Sequence, residues 1–320
     1  MAVRRAADLL RGGEAVALPT ETVYGLAANA LDENAVARIF HIKGRPANNP
    51  IIVHVASVEM AARCVKEFTE PARRLARAFW PGPLTLVLPR ADAIPARLAA
   101  GGATVGVRWP SHPLIQAVIR QCDFPLAAPS ANLSGSISPT NAQHVLRQLG
   151  GRIPLIVDGG QSQVGIESTV LDLTVSPPLI LRPGMTHAQS LAAVCGGVRT
   201  LESAAEDAVL RSPGLLKRHY SPRARLMVLG WSSDADLLSQ LSNLKREAST
   251  SHVLAHDRIP SETPFAGVGV VPHDAEAFAR ALYAELYRCD EAGAETIIVE
   301  APPESPAWAG IADRLRRAAA

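Results

Sequence analysis

Aromatic residues make up only 4% of the chain, and cysteine occurs four times in 320 residues. The thiols, Cys64, Cys122, Cys195 and Cys289, are widely separated and form no CxxC pair. That spacing supports neither a disulfide framework nor a zinc finger, so each reads as a small buried side chain. Few aromatics leave few platforms on which unpaired bases can stack. Net charge is scarce too: 32 Lys plus Arg stand against 30 Asp plus Glu, a formal +2. This balance excludes a surface that coats nucleic acid throughout and allows a local basic cleft. No apolar run approaches the roughly 20 residues of a membrane span. The opening "MAVRRAADLL" is followed by Arg11, two glycines and Glu14, which interrupt any signal-peptide core. A cytoplasmic protein with no membrane partner is expected. The GxxxxGKS/T phosphate loop, HExxH, GxSxG and histidines at metal-ligand spacing are all missing. "GVGVVP" carries Pro272 where the third dinucleotide-binding glycine belongs.

What is present is a packed core, with 48% hydrophobic and 19% charged residues. The first two hundred residues alternate short strands and helices. Strands are expected at "EAVALPT", "PIIVHVA", "GPLTLVLPR", "TVGVRWP", "IPLIVDGG", "ESTVLDLT" and "PLILRPG". Helices are expected at "ENAVARIFHIK", "HPLIQAVIRQC", "NAQHVLRQLG" and "SVEMAARCVKEFTEPARRLARAFW", the last capped by Ser57 and broken by Pro71. Several strands follow one another without a helix, which predicts an α/β or α+β sheet of mixed direction. Residues 201–224 have linker composition and the densest basic run. Residues 225–320 alternate strand and helix regularly and predict a smaller, mostly parallel, Rossmann-like α/β domain.

The polar residues gather at predicted strand ends. "PTETVYG" offers Thr20, Glu21, Thr22 and Tyr24, and "KGRPANNP" offers Lys43, Arg45, Asn48 and Asn49, followed by His54. "TVGVRWPSH" offers Thr104 and Arg108, and "APSANLSGSISPT" offers Ser130, Asn132, Ser134 and Ser138. "GGQSQVGIESTV" adds Ser162, Glu167, Ser168 and Thr169, "LRPG" adds Arg182, and "KRHYSP" adds Lys217, Arg218 and Tyr220. Taken singly, each is an ordinary turn, cap or solvated linker. Together they repeat one pattern, cations and hydroxyls at strand ends beside Gly or Pro, where sheets of this kind bind ligands. Arginine forks and a lysine point charge suit phosphate and carboxylate oxygens. The expected ligand is anionic, a polyphosphate with a carboxylate nearby.

"PTETVYGL", "KGRPANNP", "WPGPLTLVL", "VGVRWPSHP", "APSANLSG", "IESTVLDL", "LRPG" and "HYSP" occur in this order in the threonylcarbamoyl-AMP synthases, the YrdC/Sua5 family, which this chain resembles over nearly all of residues 1–200. The "SPGLLKRHYSP" linker and the domain after it are similar to the two-domain Sua5 form. The resemblance implies a YrdC-like catalytic domain at 1–200, an open twisted mixed sheet with a concave basic cavity. A linker or lid at 201–224 and a Sua5 C-terminal α/β domain at 225–320 would follow. The implied activity joins L-threonine, bicarbonate or CO2, and ATP into threonylcarbamoyl-AMP and pyrophosphate, a nucleotidyl transfer. A downstream tRNA threonylcarbamoyltransferase would use the product for t6A modification of tRNAs reading ANN codons, tRNA itself not being a primary ligand. By the same resemblance, Lys43 and Arg45 are catalytic, and Thr22, His54, Arg108, the backbone at Ala128 and Ser168 surround threonine. Lys43, Arg45, Asn49, Thr104, Ser130, Asn132, Ser138, Arg182 and Tyr220 surround ATP. Mg2+ accompanies the triphosphate, its protein ligands unassigned, with Glu167 and Asp158 as candidates. The rival readings are an RNA-binding module and the carbamoyl-transfer domain of hydrogenase maturation. The low aromatic content argues against the first, and the missing CxxC pairs against the second.

Overall fold

The computed structural model describes residues 1–201, 212–213, 219–261 and 263–320. Most of the expected linker, Lys217 and Arg218 included, lies outside the described residues. The chain divides into two units, Met1–Ser134 with Ser138–Leu215, and Gly135–Ile137 with Leu216–Ala320.

The first unit is built on a mixed sheet. Among the described residues its strands are β1 (Val16–Leu18), β2 (Gly25–Asn29), β3 (Val53–His54), β4 (Leu84–Pro89), β5 (Thr104–Arg108), β6 (Leu126–Ala127), β7 (Thr169–Asp172), β8 (Leu179–Arg182) and β9 (Arg199–Thr200). They lie in the order β1-β2-β6-β3-β5-β4-β7-β8-β9. The pairs β3–β5, β4–β7 and β8–β9 are parallel and the others antiparallel, as the helix-free strand succession predicts. Around the sheet run α1 (Ala2–Arg11), α2 (Glu33–Lys43), α3 (Val58–Cys64), α4 (Glu70–Phe79), α5 (Pro113–Cys122), α6 (Ala142–Leu149) and α7 (Ala188–Cys195).

Strand alternation decides where the polar residues point. Leu84, Leu86 and Leu88 of β4, and Val105 and Val107 of β5, belong to the main core with the helices. Val87 turns to the opposite face, where it packs with Ile52, Val170 and Leu181. By the same period of two, Thr104, Gly106 and Arg108 share that second face. Gly106 is needed there: a Cβ would stand 3.1 Å from Thr85 Cγ2 and 3.4 Å from Ile52 Cγ1.

Three expectations are corrected. The long helix after Ser57 is two helices. Ser57 caps α3 through Met60 N, and Thr69 caps α4 through Ala72 N. The break falls between Val65 and Phe68, and Pro71 sits in the first turn of α4, where its missing N–H costs nothing. "IPLIVDGG" forms no regular strand but a single bridge, Ala17 to Ile156. "PIIVHVA" yields only the two residues of β3.

The second unit has the regular alternation expected of it: β10 (Arg225–Leu229), α8 (Asp234–Asn243), β11 (Ser251–Ala255), β12 (Gly267–Val270), α9 (Ala275–Glu291), β13 (Thr296–Glu300) and α10 (Ala309–Ala318). Its sheet is wholly parallel, in the order β10-β13-β11-β12. The carboxyl ends of its strands meet at a cleft of about 480 Å³ lined by Trp231, Asp236, His256, Arg258, His273 and Glu300 among others. The Glu300 carboxylate accepts the backbone N–H groups of His256, Asp257 and Arg258 at 2.7, 2.9 and 3.1 Å. Burial works against its charge, but these three donors outweigh it and hold the carboxyl below its usual range.

Candidate functional site

α2 ends at Lys43 because Gly44 follows with φ 59°, a left-handed C-cap that turns the chain. The turn leaves the Lys43 side chain buried. Its Nζ donates to Ser130 O at 2.6 Å, Asn132 O at 2.5 Å and Asn132 Oδ1 at 3.2 Å. In return Ser134 N donates to Lys43 O at 2.9 Å. Burial and neighbouring Arg45 push the Lys43 ammonium well below the usual lysine value. Three convergent oxygens, one for each N–H, are nonetheless the geometry of a charged ammonium, and they oppose that shift. Lys43 thus ties the "SANLS" turn to the end of α2, a target 87 residues away. Arg45 is spent locally in part: Nε donates to Asn49 O at 2.9 Å, and Nη2 donates to Asn49 Oδ1 at 2.7 Å and Pro50 O at 2.6 Å.

A second cluster forms around Arg108, only 3% exposed at the end of β5. Its Nε donates to Gly82 O at 3.2 Å and its Nη1 to Thr22 Oγ1 at 2.9 Å. Nη2 lies 2.8 Å from Glu21 Oε1 in a buried ion pair. Thr22 and Thr20 share a 2.9 Å hydroxyl contact, and Thr20 Oγ1 donates to Val23 O at 2.6 Å. The backbone carbonyls of Glu21 and Thr22 accept from Val164 and Gly165. His54 pairs with Arg108 in the β3–β5 register. Burial, then the Arg108 charge, push its imidazole down to about 3, so it stays neutral. In the unfolded chain it titrates near the ordinary histidine value of 6.5. Between these values the unfolded state binds more protons, so stability is full above the upper value and falls with acidification. The expected slope is about 1.4 kcal/mol per pH unit, and His54→Gln should flatten the urea-unfolding profile by about that amount.

Ser168 joins a third group. Its Oγ meets Thr85 Oγ1 at 2.8 Å, and Arg182 donates to it twice, Nε to O and Nη2 to Oγ, both at 3.1 Å. Arg182 Nη1 also reaches Pro213 O at 3.2 Å. Ala128 N donates to Ile52 O at 3.1 Å. Ser138 Oγ donates to Glu167 Oε1 at 2.5 Å. Tyr24, pushed up to about 12 chiefly by burial, stays a phenol that donates to Gly160 O at 2.7 Å.

Of the residues singled out in the sequence, Thr22 and Arg108 come together, with His54 beside Arg108 on the next strand. Lys43, Ser130 and Asn132 form another group, Arg45 and Asn49 another, and Ser168 and Arg182 the last. Thr104 shares the face of β5 with Arg108 but stands at its far end, about 13 Å along the strand. Tyr220 belongs to the second unit, where it is buried with φ 64°, beneath the Arg314 guanidinium at 5.3 Å and stacked on Tyr283. The Glu21 ion pair, Thr85 and Gly82 were not assigned from sequence. Glu21 lay inside a quoted motif, whereas Thr85 is an unmarked residue within an apolar strand.

Residues 8–184 match the Sua5–YciO–YrdC family model, described as "Telomere recombination". Residues 186–320 match that of the "Threonylcarbamoyl-AMP synthase, C-terminal domain". The threonylcarbamoyl-AMP synthase of Pyrococcus abyssi is 41% identical over 99% of this chain and 93% of its own length. That of Bacillus subtilis is 40% identical over 99% and 92%. The crystal structure of P. abyssi Sua5 complexed with L-threonine superposes with a TM-score of 0.91 at 40% identity, covering 99% of this chain and 94% of that one. With the strand order, the buried cations and both domain matches in agreement, the chain belongs to the threonylcarbamoyl-AMP synthase family in its two-domain Sua5 form.

Proposed function

We propose that this chain is an L-threonylcarbamoyladenylate synthase, a nucleotidyltransferase that converts L-threonine, bicarbonate or CO2, and Mg-ATP into threonylcarbamoyl-AMP and pyrophosphate. The observation that carries the reading is the buried Arg108 fork, bracketed by Thr22 and Glu21, within a fold that matches a threonine-bound Sua5. Thr22, His54, Arg108, the Ala128 backbone and Ser168 would enclose threonine. Lys43, Arg45, Asn49, Thr104, Ser130, Asn132, Ser138 and Arg182 would enclose ATP. Threonine's amine captures CO2, a carbamate oxygen attacks the α-phosphorus, and pyrophosphate departs. No protein nucleophile is required, so positioning and charge neutralisation carry the rate. Burial of four cations in this unit, Lys43, Arg45, Arg108 and Arg182, supports that reading.

Among the described residues no group of three or more His, Cys, Asp or Glu side chains is placed to hold a metal. Mg2+ would enter with the triphosphate, whose charge it neutralises. Glu167, which accepts from Ser138 Oγ, and Asp158, which accepts Gly160 N at 2.9 Å, are the candidates to orient its waters. The product is a mixed anhydride, suited to a downstream tRNA threonylcarbamoyltransferase for t6A, and the cytoplasm is the compartment this reading expects. Among the described residues no helix is long and apolar enough to cross a membrane.

The test is pyrophosphate release from Mg-ATP, expected only when L-threonine and bicarbonate are both supplied. Threonine-independent release, or none from a folded sample that binds RNA in a salt-sensitive manner, would overturn the reading.

A further inference from the structure

We propose that Glu21 is the proton acceptor for carboxylation of the substrate amine; this rests on the reading of the Arg108 cluster as the threonine site. Glu21 is 6% exposed. Among the described residues neither of its carboxylate oxygens has a hydrogen-bond partner, although Arg108 Nη2 is 2.8 Å away. Arg108 Nη2 likewise lacks an aligned acceptor. The two charges are close and their lone pairs and N–H bonds are misaligned, which leaves both groups able to bind a third. Buried carboxylates without donors are rare because the desolvation penalty is large. A ligand bearing both an anion for the guanidinium and an N–H for the carboxylate satisfies them at once, and a zwitterionic α-amino acid is such a ligand.

Threonine's amine arrives as an ammonium and cannot attack CO2 until it loses a proton. The Arg108 guanidinium beside Glu21 disfavours a charged amine there. The substrate carboxylate, on reaching Arg108, sets a second negative charge beside Glu21, and a proton taken up there relieves the repulsion. One ammonium proton passes to the Glu21 carboxylate. The freed nitrogen lone pair forms the N–C bond to CO2 while one C=O pair moves onto oxygen. The second N–H proton passes to bicarbonate, leaving the carbamate anion and carbonic acid. Water returns Glu21 to its carboxylate after product leaves. His54 does not fill this role. Its Nδ1 also lacks a partner among the described residues, but an imidazole held near 3 accepts a hydrogen bond without keeping the proton. Glu167 is engaged by Ser138 Oγ.

The experiment compares wild type, Glu21→Gln and Glu21→Asp in threonine-dependent pyrophosphate release between about pH 7 and pH 9 at fixed dissolved CO2, with threonine affinity measured by calorimetry. Wild type should be flat. Glu21→Gln should still bind threonine, whose carboxylate then neutralises Arg108, and should lose about a hundredfold or more in kcat near pH 7. Its rate should climb roughly tenfold per pH unit as the amine deprotonates in solution. Glu21→Asp should keep the flat profile at a lower rate. A Glu21→Gln enzyme with wild-type turnover overturns the proposal, as does a folded one, judged by thermal unfolding with threonine, whose deficit is constant across pH. A wild type that needs no threonine refutes the functional reading instead, so the two failures are distinct.

Discussion

Lys43→Ala should lower threonine-dependent pyrophosphate release by about a hundred- to a thousand-fold, the usual cost of losing one preorganised donor. Yet its Nζ is committed to three oxygens of Ser130 and Asn132, so much of the loss comes from releasing the loop. Lys43→Arg separates charge from geometry. A planar guanidinium keeps the charge but does not fit three oxygens that converge on a point. We therefore expect Lys43→Arg to be nearly as inactive as Lys43→Ala, with both still folded by circular dichroism. Wild-type turnover in Lys43→Arg would show that charge alone suffices.

The second large effect is on stability as well as binding. Arg108→Gln strands the Glu21 carboxylate in a site where both partners are under a tenth exposed, 4% and 8% by side chain. Removing one member of such a pair costs about 3–5 kcal/mol, far more than the pair itself contributes. Threonine affinity should fall with it. The double variant Arg108→Gln with Glu21→Gln should recover most of the stability and none of the affinity. Denaturant unfolding and threonine calorimetry on the three variants check this. Additive stability losses would mean that the two groups do not interact.

The architecture was legible where pattern and turn chemistry agreed. The helix-free succession of strands announced a mixed sheet, and the helix expected at "ENAVARIFHIK" is α2 from end to end. The candidate residues were legible as types at strand ends, not as partners. Nothing local tells that Lys43 reaches Ser130 and Asn132, because that contact is set by where β6 inserts between β2 and β3. Thr85 was hidden for a similar reason. In a strand buried on both faces, alternation of apolar and polar residues disappears, and only the partner strand shows which side is which. "IPLIVDGG" misled in the opposite direction: apolar content suggests a strand, but Ala17 supplies a single bridge and no ladder forms.

The Glu300 carboxylate sits where the backbone N–H groups of His256, Asp257 and Arg258 converge. In folds of the second unit's type, consecutive backbone N–H groups at a strand's carboxyl end are a seat for a dissolved anion. Here a carboxylate tethered to the neighbouring strand occupies that seat. Being intramolecular, it acts at an effective concentration of about millimolar or above, so free phosphate competes against an opponent that never diffuses away. Nucleotide affinity in this unit should therefore not be inferred from its topology. The same tether stitches the loop after β11 to β13, making the rim of that cleft part of the sheet's own framework.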